Sequence, residues 1–350
     1  MCITFIDNGV SFSLETPYFS PLGGSETSIC LLIKGLLLLG KKVLLYNNTN
    51  QFVESDNYSQ FNIKQYNTSV TSDNIIFSRY FHPIVHEMAK DKSLFYLSQD
   101  AFDQPNVQWM LNKKNVDCFR KIICVSEWQK DTFNRFFNIP LDKLTVLGNP
   151  LDYSIYSGHC ERNENKLIYA SHPYKGLSVI PDLFNSICKR SKRDNLELHI
   201  FSSTKLYNEN RDNDYSDVYS KLAMDKNVTL HNLDSMKSLA YEFKSSSLLL
   251  HPNIYHETFG MVYTQAQAAG CLPVTTRKGS ACELIQNGYN GFLTDSYNIE
   301  NIDTFNQFVD IVCNCLESDL YSVRLNAINN SSKWDYPNLA KKLLDIIGEN

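Results

Sequence analysis

Short apolar runs rich in β-branched residues alternate with segments of helical periodicity along almost the whole chain. This alternation is typical of βαβ units, in which helices join parallel strands. In the first half it predicts strands at residues 3–6, 42–46, 74–78, 93–97 and 121–125, and helices at 24–39, 82–90, 105–115 and 127–136. The polar stretch 50–72 has too weak a pattern to be placed.

The alternation pauses at residues 147–152, and the polar stretch 157–165 has no apolar periodicity, which predicts an interdomain linker. A second cycle follows, with strands at 167–170, 196–201, 228–231, 247–251 and 273–276 and helices at 176–190, 234–244, 260–269 and 280–286. The last fifty residues are helical in pattern. We therefore predict two doubly wound α/β domains, 1–152 and 153–335, and a C-terminal helix at 336–350 that could cross back to the first domain.

The composition is that of a folded protein, with 43% hydrophobic and 20% charged residues. A net charge of −5 argues against a nucleic-acid partner, which would favour a basic surface. No secretory signal is recognised at the start of the chain. The most apolar stretch, 29–39, is short of the roughly 20 residues that span a bilayer. A cytoplasmic protein with free thiols is the expectation, because the ten cysteines are scattered.

Ligands of open α/β sheets bind beyond the carboxyl ends of the strands, so the strand-to-helix junctions are the candidate sites. Gly23 and Gly24 precede the first long helix, where paired glycines and a helix N-terminus suit a phosphate, although a plain tight turn explains them equally. After the strand at 167–170, Lys175 stands at a predicted helix start. A lysine there opposes the macrodipole, which favours a bound anion over the alternative of a merely solvated side chain.

The richest junction runs from His251 to Met261 and precedes a predicted helix that contains Gln265. Glu257 is expected in the loop, where a carboxylate can accept bonds from sugar hydroxyls. The N–H groups near 259–261 can face a pyrophosphate. A glutamate near a helix start is also a common favourable dipole contact, so the spacing alone leaves both interpretations open.

Two patterns resemble metal sites. Asp212-Asn213-Asp214 matches a DxD motif, but it lies in a polar segment that the pattern places away from any strand end. His251 and His256 lack the helical spacing of HExxH. No metal is therefore expected to bind.

The segments GGSET, ICVSEWQKD, LGNPLD, YASHPYKGL and HETFGMVYTQAQAAGCLPV, in that order, closely resemble retaining GT-B glycosyltransferases of family 4. The likeness spans residues 23–293, most of the chain. It implies an α/β GT-B fold, with two Rossmann-like parallel-sheet domains facing a central cleft. The donor would be a UDP- or GDP-sugar held mainly by the C-terminal domain, and the acceptor would lie on the N-terminal side.

By this resemblance, Glu257 would contact the transferred sugar and Lys175 the diphosphate. The remaining implied positions are the turn Thr258, Phe259, Gly260 and Met261 on sugar and phosphate, Asn232 near the base, Gly23 and Gly24 over the donor, and Asp100 towards the acceptor. Two positions depart from the family. Gln265 replaces a glutamate that bonds the ribose, and Ser171 and His172 stand where the family has an arginine. A protonated His172 could share the phosphate contact, and activity would then fall at alkaline pH.

The resulting hypothesis is a metal-independent, retaining transferase that moves a sugar from a nucleotide-diphosphate sugar to a hydroxyl of a glycan, lipid or protein-linked sugar. The nucleotide sugar is a co-substrate, and no cofactor is expected. Lys175→Ala should lower turnover far more than Glu26→Ala. A non-catalytic binding relative and a UDP-sugar 2-epimerase remain alternatives, whereas a dinucleotide oxidoreductase would need GxGxxG. A basic patch of Lys113, Lys114, Arg120 and Lys121 allows peripheral membrane contact, although a solvated face explains it more simply.

Overall fold

A computed structural model describes residues 2–66, 72, 74–193, 195–207, 211–232 and 234–348. The chain forms two compact units. The first comprises Met1–Thr16, Gly24–Pro150 and Trp334–Asn350, and the second comprises Pro17–Gly23 and Leu151–Lys333.

The first unit contains an eight-stranded sheet in the order β3-β4-β2-β1-β5-β6-β7-β8. Its strands are β1 (Cys2–Asp7), β2 (Lys42–Asn47), β3 (Val53–Glu54), β4 (Tyr58–Asn62), β5 (Asn74–Ser78), β6 (Ser93–Leu97), β7 (Lys121–Cys124) and β8 (Leu144–Val146). All neighbours pair in parallel except the short edge strand β3, which runs antiparallel to β4. Since β1 pairs with β2 on one side and with β5 on the other, the chain reverses its direction of progress between β1 and β5. Such a switch point is where open α/β sheets bind ligands.

Helices cover both faces of this sheet, as the parallel pairing requires. They are α2 (Gly24–Leu38), α3 (Val85–Met88), α4 (Lys113–Asp117) and α5 (Glu127–Phe137), with the C-terminal α13 (Tyr336–Ile347) also packing on α2. A short helix, α1 (Thr16–Phe19), comes before them in the chain. Only Thr16 of α1 belongs to the first unit. The helix predicted at 105–115 is instead a 3-10 segment, Pro105–Leu111, followed by α4, because the Asn112 side chain caps a new start.

The second unit contains a six-stranded, fully parallel sheet in the order β11-β10-β9-β12-β13-β14. Its strands are β9 (Asn163–Ala170), β10 (Glu197–Phe201), β11 (Val228–His231), β12 (Ser246–His251), β13 (Leu272–Thr275) and β14 (Phe292–Leu293). The switch point of this sheet lies between β9 and β12, which are its two central strands. Strand β9 begins inside the polar stretch that the sequence indicated as linker.

The helices of the second unit are α6 (Ile180–Ser191), α7 (Ser216–Ala223), α8 (Met236–Ser245), α9 (Met261–Ala268), α10 (Ala281–Leu284), α11 (Ile302–Glu317) and α12 (Tyr321–Ser331). Helix α6 was predicted from residue 176 but begins at Ile180. The reason is local: Gly176 adopts φ +119°, which no helix allows, and Pro181 suits the first turn. Its apolar face, including Leu183 and Phe184, is completely buried in the core of this unit.

The fold class predicted from the sequence is confirmed, since both units are parallel α/β sheets. The ten cysteines are all free thiols. Among the described helices, none is long and apolar enough to cross a membrane.

Candidate functional site

The loops that follow the two central strands of the second sheet bring a cation and a carboxylate into contact. Lys175 lies after β9 and Glu257 after β12, and their Nζ and Oε1 atoms are 2.7 Å apart. The side chains are only 16% and 6% exposed, so solvent screens this ion pair weakly. A small ligand at this switch point of the sheet would meet both charges.

The loop after β9 is built to present Lys175. The His172 side chain accepts a hydrogen bond from the Tyr174 N–H and starts a single 3-10 turn, Pro173–Lys175. Gly176 then turns the chain with φ +119°, and a Cβ there would lie 2.2 Å from the Pro252 carbonyl oxygen. Glycine is therefore required for this loop to pack on the loop after β12.

The loop after β12 is held by the loop that follows the neighbouring strand β13. The Thr276 hydroxyl donates to the Asn253 carbonyl at 2.6 Å. The Ser280 N–H donates to the Glu257 carbonyl and its hydroxyl to the Phe259 carbonyl, each at 2.9 Å. Glu257 is 5% exposed as a whole residue. No short-range signal in the sequence marks Thr276 and Ser280, since their contacts cross more than twenty residues.

Helix α9 begins at this loop and points its N-terminus to the same place. Gly260 precedes its first residue, Met261, with φ +80°. Free N–H groups at a helix start carry about half a positive charge, which suits a phosphate. Thr258 and Phe259 lie in the turn before it, and Gln265 lies one turn into the helix, half-buried, beside the Tyr156 hydroxyl.

Two histidines of the site, His172 and His251, have a pKa well below the usual value, which favours their neutral form at pH 7. Burial and the nearby Lys175 ammonium lower the pKa of His172 to about 4. Burial also lowers the pKa of His251 to about 4, and its ring bonds the Tyr263 hydroxyl at 3.0 Å. The depressed pKa of His172 argues against the prediction that its protonated ring binds phosphate and that activity falls at alkaline pH. The Oγ atom of Ser171, which precedes His172, lies 3.3 Å from Nε2 of His251.

The other predicted positions lie elsewhere in the fold. Asn232 is exposed and follows β11, the edge strand two places from β9. Gly23 is buried in the segment that belongs to the second unit, whereas Gly24 is the first residue of α2 in the first unit. Asp100 also belongs to the first unit, where it follows β6. Within the second unit, the structure brings Lys175 and Glu257 into direct contact beside the turn before α9.

Asp100 has a charged environment that the sequence did not reveal. Its Oδ1 atom lies 3.7 Å from Nη1 of Arg79, whose Nε donates to Glu26 Oε1 at 3.0 Å. Glu26 is only 1% exposed. Burial raises the pKa of Asp100, although Arg79 opposes the shift.

The DxD motif is used for loop structure. Asp212 accepts bonds from the Ser203 hydroxyl at 2.7 Å and from the Thr204 N–H at 2.7 Å, directly after β10. The expectation that this motif lies far from any strand end is therefore wrong in three dimensions. Asp214 pairs with Arg211 at 2.9 Å, so both carboxylates already have partners.

Of the described residues, His199, His231 and Glu242 form a group that could hold a metal ion. The two rings approach to 2.9 Å between Nδ1 of His199 and Nε2 of His231. However, the Lys166 ammonium lies 2.6 Å from the Glu242 carboxylate, and a dication would have to displace it. The arrangement favours a hydrogen-bonded network over a metal centre.

The architecture is that of the GT-B glycosyltransferases. A crystal structure of the Anabaena protein Alr3699/HepE in complex with UDP superposes with a TM-score of 0.73, covering 100% of both chains at 14% sequence identity. A Rickettsia africae ESF-5 glycosyltransferase also gives a TM-score of 0.73, at 16% identity, covering 99% of this chain and 98% of the other. At these identities the likeness establishes the fold alone.

A family model also matches part of the chain. Residues 162–307, less than half of the chain, match the family described as glycosyl transferases group 1. A D-inositol 3-phosphate glycosyltransferase of Arthrobacter sp. (strain FB24) is 33% identical over 108 residues, which is 31% of this chain and 25% of that protein. This chain thus spans about a quarter of the length of that relative. The matched family region contains Lys175, Asn232, Glu257 and Gln265, but not Asp100.

Proposed function

We propose that this protein transfers a sugar from a nucleotide-diphosphate sugar to a hydroxyl acceptor, with retention of anomeric configuration and without a metal ion. The observation that carries the proposal is the Lys175–Glu257 pair beside the N-terminus of α9. It supplies a cation, a buried acid and a cluster of N–H donors at one switch point, all within the region that matches the family.

The chemistry needs help mainly at the leaving group. Breaking the bond between the anomeric carbon and the diphosphate builds negative charge on the phosphate oxygen, and preorganised positive groups stabilise that charge best. Lys175 and the α9 N–H groups are such groups, and neither needs reorganisation during the reaction. His172 is neutral, so it contributes at most a hydrogen bond.

Glu257 has a different role in this proposal. Its carboxylate accepts hydrogen bonds from the hydroxyls of the transferred sugar, which fixes the ring while the bond to phosphate lengthens. The ion pair with Lys175 also holds both side chains in place before the donor arrives. Because the bound diphosphate competes for the same ammonium, donor binding would loosen this pair and free the carboxylate for the sugar.

The Lys175–Glu257 contact says nothing about the base of the donor or about the acceptor, so these are proposed from a protein of the same fold and from two other residues. UDP is the first candidate, because a protein of the same fold, Alr3699/HepE, is seen with UDP and with UDP-glucose. Asn232, exposed after β11, is the proposed contact near the base. Asp100 is the proposed acceptor-side residue, and the acceptor proton passes to the leaving phosphate oxygen as that bond breaks.

Thermal-shift measurements with UDP, GDP, ADP and CMP, each with and without EDTA, test the donor site. We expect UDP or GDP to stabilise the protein equally in both conditions. UDP-glucose and GDP-mannose are then incubated with the protein, and released nucleotide is quantified. Glu257→Gln should retain nucleotide binding but lose release, whereas the exposed Glu317→Gln on α11 should behave as wild type. A shift that requires metal, or full activity in Glu257→Gln, would contradict the proposal.

One observation favours a second candidate, a non-catalytic relative that binds a nucleotide sugar. Gln265 stands where the family has a glutamate, and charge-assisted hydrogen bonds are about twice as strong as neutral ones. The same two measurements separate the candidates. Nucleotide binding without any release from a panel of donors, in the presence of sugar acceptors, would support the binding protein.

A further inference from the structure

Three buried acceptor atoms without a hydrogen-bond partner lie close together in the first unit. They are Oδ2 of Asp7, Oδ1 of Asn8 and Oε2 of Glu26. The Ser78 hydroxyl, paired in register with Asp7 on the neighbouring strand, hydrogen-bonds the Asp7 carboxylate and opposes the rise of its pKa. Folded proteins satisfy the great majority of buried polar groups, so a concentration of such atoms at one place needs an explanation.

The place is the switch point of the first sheet. Asp7 ends β1, Ser78 ends β5, and Glu26 lies in the first turn of α2. Ligands of open α/β sheets bind at this position because strand ends and helix starts meet there. The second unit carries its Lys175–Glu257 pair at its own switch point, but the two sets of charges differ in sign and composition.

The charges in the first unit are predominantly negative. The carboxylates of Asp7, Glu26 and Asp100 surround one guanidinium, that of Arg79, which bonds Glu26 at 3.0 Å and lies 3.7 Å from Asp100. Burial, together with the nearby Glu26 carboxylate, raises the pKa of Asp7 to about 6. At neutral pH the group therefore has an excess of negative charge, and its single cation is already occupied.

Arg79 is held in an unusual backbone conformation. Its φ is +74°, a value that residues other than glycine rarely adopt. The Tyr96 hydroxyl donates a hydrogen bond to its carbonyl oxygen at 3.0 Å. Such conformations are unfavourable and concentrate at binding sites. The Arg79 and Asp100 side chains are 14% and 13% exposed, so a ligand reaches them first, with Asp7 and Glu26 behind.

We propose that Asp7, Asn8, Glu26, Arg79 and Asp100, here called the switch-point cluster, bind the hydroxyl groups of an uncharged polyol and reject a phosphorylated one. Hydroxyl groups donate the hydrogen bonds that the acceptor atoms lack. A phosphate would meet the excess of carboxylates without a free cation. The inference deepens the proposed function, on which it rests, by assigning the acceptor to the class of neutral sugars.

The test measures binding directly and needs no turnover. Dissociation constants of glucose, galactose, mannose and the 6-phosphate of each are determined on the full chain by ligand-observed NMR at pH 7.5, without nucleotide. At least one neutral hexose should bind about tenfold or more tightly than its own phosphate, a difference of about 1.4 kcal/mol. In Asp100→Asn, which keeps the shape of the side chain, this ratio should shrink at least threefold.

The matched control is Asp131→Asn, which removes the same charge from an exposed position on α5 of the same unit. It should leave the ratio unchanged. Thermal unfolding of each variant verifies that it is folded, and UDP binding is measured on the same samples. Equal or tighter binding of the phosphates, no binding of any hexose, or a ratio insensitive to Asp100→Asn would overturn the inference. If UDP still binds and is released from its sugar, the proposed function survives that failure.

Discussion

Replacing Lys175 by methionine removes the ammonium that faces Glu257 but retains an unbranched side chain of similar length. The Glu257 carboxylate, 6% exposed, then remains buried without its cation. Removing one partner of a buried ion pair usually costs about 3–5 kcal/mol, and the partial exposure of Lys175 argues for the lower end. In a unit of this size about 3 kcal/mol corresponds to a decrease in Tm of roughly 6–10 °C.

The physical reason can be separated from simple loss of packing by a second substitution. In Lys175→Met/Glu257→Gln the buried group is neutral, so most of the lost stability should return. A coupling free energy of about 2 kcal/mol is expected between the two positions, since residues in contact are not additive. The measurement is thermal and urea-induced unfolding of the wild type, both single variants and the double variant.

The exposed Lys189→Met on α6 is the matched control and should leave Tm within about 1 °C of the wild type. Nucleotide binding is measured on the same proteins, and Lys175→Met should weaken UDP by about 30-fold or more, corresponding to about 2 kcal/mol for a lost charge-assisted bond. The reasoning fails if Lys175→Met changes neither Tm nor UDP affinity. It also fails if the double variant loses more unfolding free energy than the two single variants lose together. Glu26→Ala is not a suitable mild comparison, because Glu26 is buried against Arg79.

Three further outcomes follow from the geometry. Gly260→Ala should lower the free energy of unfolding by about 2–4 kcal/mol, because φ is +80° and a Cβ would lie 2.4 Å from the Tyr263 ring. Gly158→Ala, at φ +86° with open space around it, should lose only the backbone contribution of about 1–2 kcal/mol. Urea unfolding of the two variants compares these losses. Because the pKa of His172 is depressed to about 4, the unfolded chain binds its proton more readily, so stability should fall as the pH drops from about 6.5 to 4. In His172→Gln this fall should be smaller, and an identical pH profile of Tm would contradict the assignment. Asp212→Ala should lose roughly 1–2 kcal/mol of stability through its hydrogen bonds, while the nucleotide-induced shift stays insensitive to EDTA; a new metal requirement or an abolished shift would revive the metal hypothesis.

The local pattern predicted most strands closely but failed where tertiary contacts decide. Strands β5 and β6 were predicted at their observed bounds, because continuous apolar runs are required in a sheet buried on both faces. Strands β3 and β4 were not placed, since β3 is an exposed two-residue edge and β4 buries polar side chains such as Gln60. Gln60 is acceptable inside the fold because its amide N–H groups donate to the Phe12 carbonyl and Asn47 Oδ1, and its amide oxygen accepts from the Tyr58 hydroxyl.

The candidate site shows the same division. Lys175 and Glu257 were chosen from strand-to-helix junctions and from a family resemblance, and their roles stay predictions. Their contact, the neutral state of His172 and the structural use of Asp212 were not readable from the chain. The electrostatic cluster around Arg79 was equally hidden, because its members lie at or just after the ends of three separate strands and in a helix.

The sequence by itself determined the element types, the α/β class and the order of the two cycles, because helix and strand periodicities are properties of neighbouring residues. Only the tertiary structure decided which strand ends lie side by side, which charges are paired and which titrating groups are buried. The physical reason is that hydrogen-bond satisfaction and desolvation depend on residues distant along the chain. Glu257 acquires its environment from Lys175 and Ser280, and no local pattern contains either fact.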